Sequence, residues 1–207
     1  MRATGEKKTL RASEQNRPDI RAKGGWWRRR VRNIPLERFV FIDESGAKTN
    51  LTRLWGRTLG GQRLFAHAPG GHWSTTTMLA GLRVRGPTAP MVVAGPVDTD
   101  VFRAYVTHVL VPTLSPGDVV VLDNLSSHKA PDIRERIEAV GALLWYLPPY
   151  SPDLNPIEQM CSKVKTILRK LAARTEEALY HAIAQGLRSI TSNDAQGWFE
   201  HCGYRPI

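Results

Sequence analysis

The chain reads as an α/β domain built on a mixed sheet, and three observations predict it. Short aromatic and β-branched segments come first, after which strand and helix alternate, the order of elements that generates such a sheet. The run Val119-Val120-Val121-Leu122 is apolar without interruption, as a central parallel strand covered on both faces requires. Beyond Asn155, apolar residues recur at the spacing of a long amphipathic helix. With 207 residues, 42% of them hydrophobic, there is material for a sizeable core, which excludes a disordered chain or a small stapled scaffold.

Each element follows from local chemistry. Phe39-Val40-Phe41-Ile42-Asp43 predicts a buried first strand that ends at Asp43. Gly60-Gly61 and Pro69-Gly70-Gly71 punctuate short segments around Gln62 to Ala68 and Ser74 to Val84, and Met91 to Ala94 is bounded by Pro90 and Gly95-Pro96. These segments predict an antiparallel meander. After a capping Asp98 or Thr99, residues Val101, Phe102, Tyr105, Val106, Val109 and Leu110 fall at helical spacing for about three turns. Pro116-Gly117 turns the chain into the central strand, which closes on Asp123. A helix from Pro131 to Val140, stopped by Gly141, leads to a strand at Leu143 to Leu147. Asn155 as N-cap and Pro156 at the first helical position predict a long helix with Ile157, Met160, Cys161, Val164, Ile167, Leu168 and Leu171 inward. A second helix starts at Thr175 with Leu179, Ala182, Ile183, Leu187 and Ile190 inward, and aromatics around Trp198 and Phe199 close the domain.

Charge divides the chain unevenly. Residues 1–38 carry 12 Lys or Arg against 4 acids, whereas the other 169 carry 17 against 15. A boundary near Pro35 thus separates a basic arm, residues 1–38, from a nearly neutral domain, residues 39–207. Such an arm suits a polyanion, or else is a solvated tail. Trp26 and Trp27 beside Arg28, Arg29 and Arg30 would stack on bases, dock on another subunit, or pack the arm onto the domain. No run of roughly 20 apolar residues is present to span a membrane, and Met1 to Leu10 lacks an apolar secretory core, so the expectation is a cytoplasmic protein without a membrane partner. Cys161 and Cys202, alone and far apart, make neither a disulfide framework nor a metal pair.

Three carboxylates stand in constrained surroundings: Asp43, Asp123 and Glu158. Acids at the carboxyl ends of adjacent strands share one crevice. Hard divalent cations prefer such oxygens together with substrate phosphate, and paired cations can serve both the attacking and the leaving oxygen of a phosphoryl transfer. Each acid also has a plainer account. Asp43 could cap the turn at Glu44-Ser45-Gly46, Asp123-Asn124 could be turn chemistry, and Asn155 with Glu158 forms a capping-box pattern. His128 is either a packing residue at a helix entry or a phosphate contact. On a helical wheel, Lys165 and Arg169 lie within about 20° of Glu158 and Ser162 within about 40°, a stripe along which DNA could leave the acids.

Taken together, the pieces Phe41-Ile42-Asp43-Glu44-Ser45-Gly46, Val121-Leu122-Asp123-Asn124-Leu125-Ser126-Ser127-His128 and Leu147-Pro148-Pro149-Tyr150-Ser151-Pro152-Asp153-Leu154-Asn155-Pro156-Ile157-Glu158 resemble the catalytic core of a DDE transposase of the Tc/mariner superfamily. More narrowly they resemble the bacterial insertion-sequence family numbered six hundred and thirty. The 34 residues between Asp123 and Glu158 match that family's spacing, and the resemblance runs from about Lys7 to Tyr204.

It implies a ribonuclease H-like fold in which Asp43, Asp123 and Glu158 hold two Mg²⁺ or Mn²⁺ ions. It also implies hydrolysis at transposon ends followed by attack of the freed 3′-hydroxyl on target DNA, usually at TA, by a homodimer on DNA at the nucleoid. Asn124 is expected to steady the Asp123 loop, with Asp153 and Glu44 as reserve carboxylates. Arg28, Arg29, Arg30, His128, Lys165 and Arg169 are the candidate DNA contacts. Family members carry a helix-turn-helix region ahead of this core, and the 38 residues here lack its pattern. The expectation is a catalytic half with weak DNA binding that lacks end specificity, whose recognition module a separate polypeptide could supply. Rival readings are a silent transposon remnant or accessory DNA-binding protein, and a nuclease of the same fold without strand transfer.

Overall fold

β-Branched and aromatic residues form the five strands of one sheet: β1 (Phe39–Lys48), β2 (Thr75–Arg83), β3 (Gly86–Ala94), β4 (Val119–Leu122) and β5 (Leu143–Tyr146). The computed structural model describes residues 13–53, 55–58, 60, 62–65, 67 and 69–207. Spatial order is β3-β2-β1-β4-β5. β1, β2 and β3 pair antiparallel, whereas β1, β4 and β5 run parallel. The sheet is therefore mixed, as expected, with β1 belonging to both parts.

Side chains alternate across each strand, and that alternation sorts the core into two layers. Phe39, Phe41, Val119 and Val121 face one side, where α4 (Ile157–Leu171), α5 (Glu176–Arg188) and α6 (Ser192–His201) pack. Val40, Ile42, Val120 and Leu122 face the other, against α2 (Thr99–Tyr105), the turns that follow it, and α3 (Pro131–Glu138). Asp98 caps α2 by accepting from the Val101 N–H at 2.9 Å. The helix then widens into a π-helical turn over Val106–Leu110 and tightens over Val111–Thr113, so the expected three turns occur in three hydrogen-bonding patterns. Gly141 stops the chain beyond α3 at φ +77°, a conformation that glycine reaches without strain. Gly186 lets α5 approach α4 closely, because a Cβ there would sit 3.2 Å from Val164 Cγ1.

Several boundaries differ from expectation. β1 does not end at Asp43 but continues to Lys48, because the hairpin partner β2 pairs all the way from Phe41 to Lys48. β3 begins at Gly86 rather than Met91 and carries Pro87 and Pro90, which an edge strand tolerates. Residues 62–65 and 67 form no strand, so the meander consists of β1, β2 and β3; Ala68 lies outside the described residues. Asn155 does not cap α4: its Oδ1 is buried without a hydrogen-bond partner, and the helix begins at Ile157 after Pro156. On the inner face of α4, Ile157, Met160, Cys161, Val164 and Leu168 are buried, whereas Leu171 is exposed.

Residues 18–31 of the basic segment form a helix that packs on the domain. α1 (Pro18–Val31) buries Ile20, Gly24, Trp27 and Val31. Trp27, 1% exposed, meets Trp145 edge-on at 5.9 Å between ring centroids. Trp27, Val31 and Leu36 belong to the same core cluster as Phe39 and Phe41, so packing crosses the boundary expected at residue 38.

Candidate active site

Strand register brings two of the three acids together. β1 and β4 pair in parallel with Phe39 opposite Val119 and Phe41 opposite Val121. Asp43 lies two residues beyond Phe41 and Asp123 two beyond Val121, at the same end of this parallel pair, and the charges of Glu158 and Asp123 both bear on the Asp43 carboxyl. By alternation Asp43 follows Phe41 to the α4 side of the sheet, whereas Asp123 stands just past the end of β4, at the sheet's edge, within reach of His128. Asp123 and Glu158 line a groove of about 430 Å³ whose other walls include Leu125, Pro149 and Tyr150. Asp43, Asp123 and Glu158 therefore converge, although they come from a strand interior, a strand end and a helix start.

Their electrostatics differ. Burial, then the charge of Glu158, pushes the Asp43 carboxyl up to about 7, with Asp123 adding to the rise; the Glu44 N–H, donating to Asp43 Oδ1 at 2.7 Å, opposes it. For Asp123, burial works upward but is outweighed by the His128 hydrogen bond and the Leu125 N–H, so its carboxyl titrates below the ordinary range. The imidazole of His128 is fully buried, with Nδ1 at 2.7 Å from Asp123 Oδ1 and Nε2 at 3.2 Å from Glu44 Oε1. Burial alone would lower its pKa, but the two carboxylates raise it to about 9, so at neutral pH both ring nitrogens donate.

Alternation again explains the partner. Glu44 follows Val40 and Ile42 onto the opposite face of β1, and there His128 lies over Phe102 at 4.1 Å between ring centroids. The Tyr146 hydroxyl donates to the His128 carbonyl at 2.9 Å. Asn124 donates through Nδ2 to the Leu147 carbonyl, steadying the Asp123 loop against the end of β5 as expected. His128 is thus a buried bridge between two acids rather than an exposed phosphate contact. The Asp-Asn-x-x-x-His spacing was visible in the sequence, but the partner Glu44 lies 84 residues away and only the sheet brings it in.

Glu158 is exposed, and among the described residues its side chain has no hydrogen-bond or ion-pair partner. The capping-box account fails with the unpaired Asn155 Oδ1. Behind the acids, burial, then the Asp43 charge, pushes the Cys161 thiol up to about 12, which favours the protonated thiol at neutral pH.

The donor set fits hard divalent cations: carboxylate oxygens of Asp123 and Glu158 line the groove, the His128 imidazole has both nitrogens engaged, and the repulsion that helps lift Asp43 is what a cation would relieve. Among the described residues, no group of three His, Cys, Asp or Glu side chains closes on a single ion.

The other expected contacts are dispersed. Arg28 pairs with Asp153 at 3.3 Å. The Arg30 guanidinium lies between Trp145 and Trp26, at 3.7 and 4.8 Å from their ring centroids, while Arg29 is exposed. Lys165 and Arg169 are half-buried along α4, and the Lys165 charge reaches Cys161 together with those of Asp43 and Glu158.

An α/β domain whose parallel strands deliver acids to one crevice, with a third acid from the following helix, defines a ribonuclease H-like fold with a carboxylate site. The DDE superfamily endonuclease family matches residues 38–180, a span holding all three acids, and the chain belongs to that family. No curated protein sequence gives a significant match. In structure, the chain is similar to a pre-cleavage Mos1 transpososome, with a TM-score of 0.74 at 15% identity over 98% of this chain and 64% of that one. A Mos1 strand transfer complex gives 0.72 at 15% identity, over 98% and 62%. The isolated catalytic domain of Mos1 mariner transposase gives 0.64 at 14% identity, over 93% and 91%. The chain spans 64% of the first of these relatives, and the likeness establishes the ribonuclease H-like fold. Among the described residues no helix is long and apolar enough to cross a membrane.

Proposed function

We propose that this chain is the catalytic core of a DDE transposase, of the bacterial insertion-sequence type with 34 residues between its second and third acids. Asp43, Asp123 and Glu158 would hold two Mg²⁺ or Mn²⁺ ions. When bound, these supply the positive charge that phosphoryl transfer requires. In the first reaction water attacks the phosphorus at a transposon end, the P–O3′ bond breaks, and the 3′ oxygen leaves as a hydroxyl. In the second, that hydroxyl attacks a target phosphodiester, preferably at TA, and displaces the target's 3′ oxygen; one ester bond is exchanged for another.

The observation that carries this reading is the meeting of three acids: Asp123 and Glu158 line one groove, and the charges of both act on the Asp43 carboxyl. Complexes of Mos1 transposase have been solved with Mn and with Mg, which supports divalent metal use here. Arg28, Arg29, Arg30, Lys165 and Arg169 are the proposed DNA contacts, and His128 acts on DNA only through Asp123. Two copies act on two ends, and end recognition rests with a helix-turn-helix module outside residues 39–207, which a separate polypeptide could provide.

The test is nicking and strand transfer on labelled duplex with a recessed 3′ end, in Mg²⁺ or Mn²⁺, beside Asp123→Asn. Joined products that vanish in the variant are expected. Cleavage without joining would favour a nuclease of this fold, and no product under either metal would favour a silent remnant.

A further inference from the structure

Glu158 has no side-chain partner, so its position is set by the backbone that enters α4. Leu154 lies four residues earlier, and its carbonyl is the one a continuing α-helix would offer to the Glu158 N–H. That N–H bonds instead to the Asn155 carbonyl at 3.3 Å, since Leu154 precedes the helix and the backbone at Asn155 is extended; the Leu154 carbonyl receives the Tyr204 hydroxyl at 2.8 Å. The same hydroxyl accepts from the Trp27 indole N–H at 2.9 Å. Trp27, Tyr204 and Leu154 are 1%, 2% and 2% exposed. A hydroxyl in so apolar a place is costly unless both its roles are filled, and here both are.

The segment before β1 grips the same loop at two more points. Gln15 donates to the Tyr150 carbonyl at 2.7 Å and to Asp153 Oδ1 at 3.2 Å, and Arg28 pairs with Asp153 Oδ2. Every one of these bonds ends on residues 150–154, a loop whose Tyr150, Ser151 and Pro152 wall the groove and which leads through Asn155 and Pro156 into Glu158.

We infer that Tyr204 is a positioning residue for Glu158. With Trp27 behind it, the hydroxyl anchors the Leu154 carbonyl and so fixes the turn that leads through Asn155 and Pro156 into α4 and carries the third acid. This rests on the catalytic reading of Glu158 given above. A positioning error of about 1 Å can cost on the order of a hundredfold in rate, so one lost hydroxyl is enough to matter. Tyr204→Phe removes the relay and keeps the ring, which packs on Phe39, Phe41 and Phe199.

The experiment measures amide hydrogen exchange of the metal-free protein together with nicking rate and DNA affinity. In Tyr204→Phe, exchange at Glu158 and Gln159 should quicken about tenfold or more while the last turns of α4 stay protected. The nicking kcat should fall about tenfold to a hundredfold with the DNA Kd unchanged. Trp27→Phe should reproduce the effect in part, and the double variant should be less than additive, since both act on one relay. Asp194→Ala, which loosens α4 against α6 far from the acid, controls for general destabilisation and should leave both readouts alone. Unchanged exchange at Glu158 in Tyr204→Phe, or an equal change in Asp194→Ala, would overturn the inference. Wild-type protein without nicking activity would sink the catalytic reading, and the exchange data would still decide whether Tyr204 sets the helix entry.

Discussion

Asp123 and Glu158 line one groove, yet they are held there by different means. Asp123 is gripped through its side chain: His128 and the Leu125 N–H both reach Oδ1, and His128 is itself braced by Glu44 and Phe102. Glu158 is held only through its backbone, with the carboxylate free in the groove. Charge pairing fixes one acid and couples it to fold stability, while helix entry fixes the other and leaves it uncoupled. An acid held the first way cannot be changed without disturbing the fold, whereas one held the second way can.

The largest expected effects separate activity from stability. Asp123→Asn and Glu158→Gln should each reduce nicking by at least about a thousandfold, as loss of a residue acting within a catalytic unit does. Only Asp123→Asn should also destabilise, by about 1–3 kcal/mol, since it leaves a buried imidazolium short of a counter-charge. Urea unfolding of the two variants checks this, and equal midpoints would break the comparison.

His128→Phe comes next, with an expected loss of about 2–3 kcal/mol, because two carboxylates lose their shared donor. The pH dependence has a definite sign. The folded-state pKa of His128 is raised from 6.5 to about 9, so its contribution is fully present below about 6.5 and is lost as pH rises through about 9. Wild-type stability should decline across that window. The decline should be absent in His128→Phe, and a parallel decline in the variant would assign it to another group.

A smaller effect concerns Asp43, whose pKa is raised to about 7 mainly by burial and the Glu158 charge. A raised carboxyl favours the fold in its protonated form, so this contribution is lost as pH rises through about 7. A divalent cation should restore it. Saturating Mg²⁺ or Mn²⁺ should therefore raise Tm by several degrees at pH 8 and by much less at pH 5.5, in line with ligand linkage of about 1–3 kcal/mol. A shift equal at both pH values, or retained in Asp43→Asn, would place the ion elsewhere.

What was legible in the sequence follows from the range of the forces involved. The strands Val119–Leu122 and Leu143–Tyr146 and the helices capped by Asp98 and Thr175 were readable because apolar period and capping are local. Motif and spacing singled out the three acids, which the fold brings within reach of one another's charge. The end of β1 was not readable, since Asp43 resembles a strand stop until β2 pairs across it. Nor was the role of His128, which depends on which face of β1 carries Glu44. Asn155 and Glu158 formed a credible capping box, which failed because α4 begins one residue later, after Pro156, and leaves the Asn155 Oδ1 buried without a partner. The basic segment read as an arm because its charge dominates its composition. Its Ile20, Trp27 and Val31 are too few to announce a helix, yet enough to dock one.

The smallest effect tests whether α4 transmits disturbance along its length. Lys163 Nζ lies 2.6 Å from Asp194 Oδ2, and Asp194 also receives the Thr191 N–H in the capping box that starts α6. Lys163, then the Thr191 hydrogen bonds, depresses the Asp194 carboxyl to about 2, so its stabilising effect is present above about 3.8 and fades as pH falls through about 2. Because this pair is solvent-accessible and screened, Asp194→Ala should lower Tm by only a few degrees at pH 7 and by nothing near pH 2. Nicking should be untouched, since the pair lies more than a turn along α4 from Glu158 and makes no contact with residues 150–154. If Asp194→Ala instead lowered kcat as Tyr204→Phe is expected to, Glu158 would depend on the rigidity of the whole helix. The contrast between an acid set by its helix entry and one set by charge pairing would then dissolve into general stability.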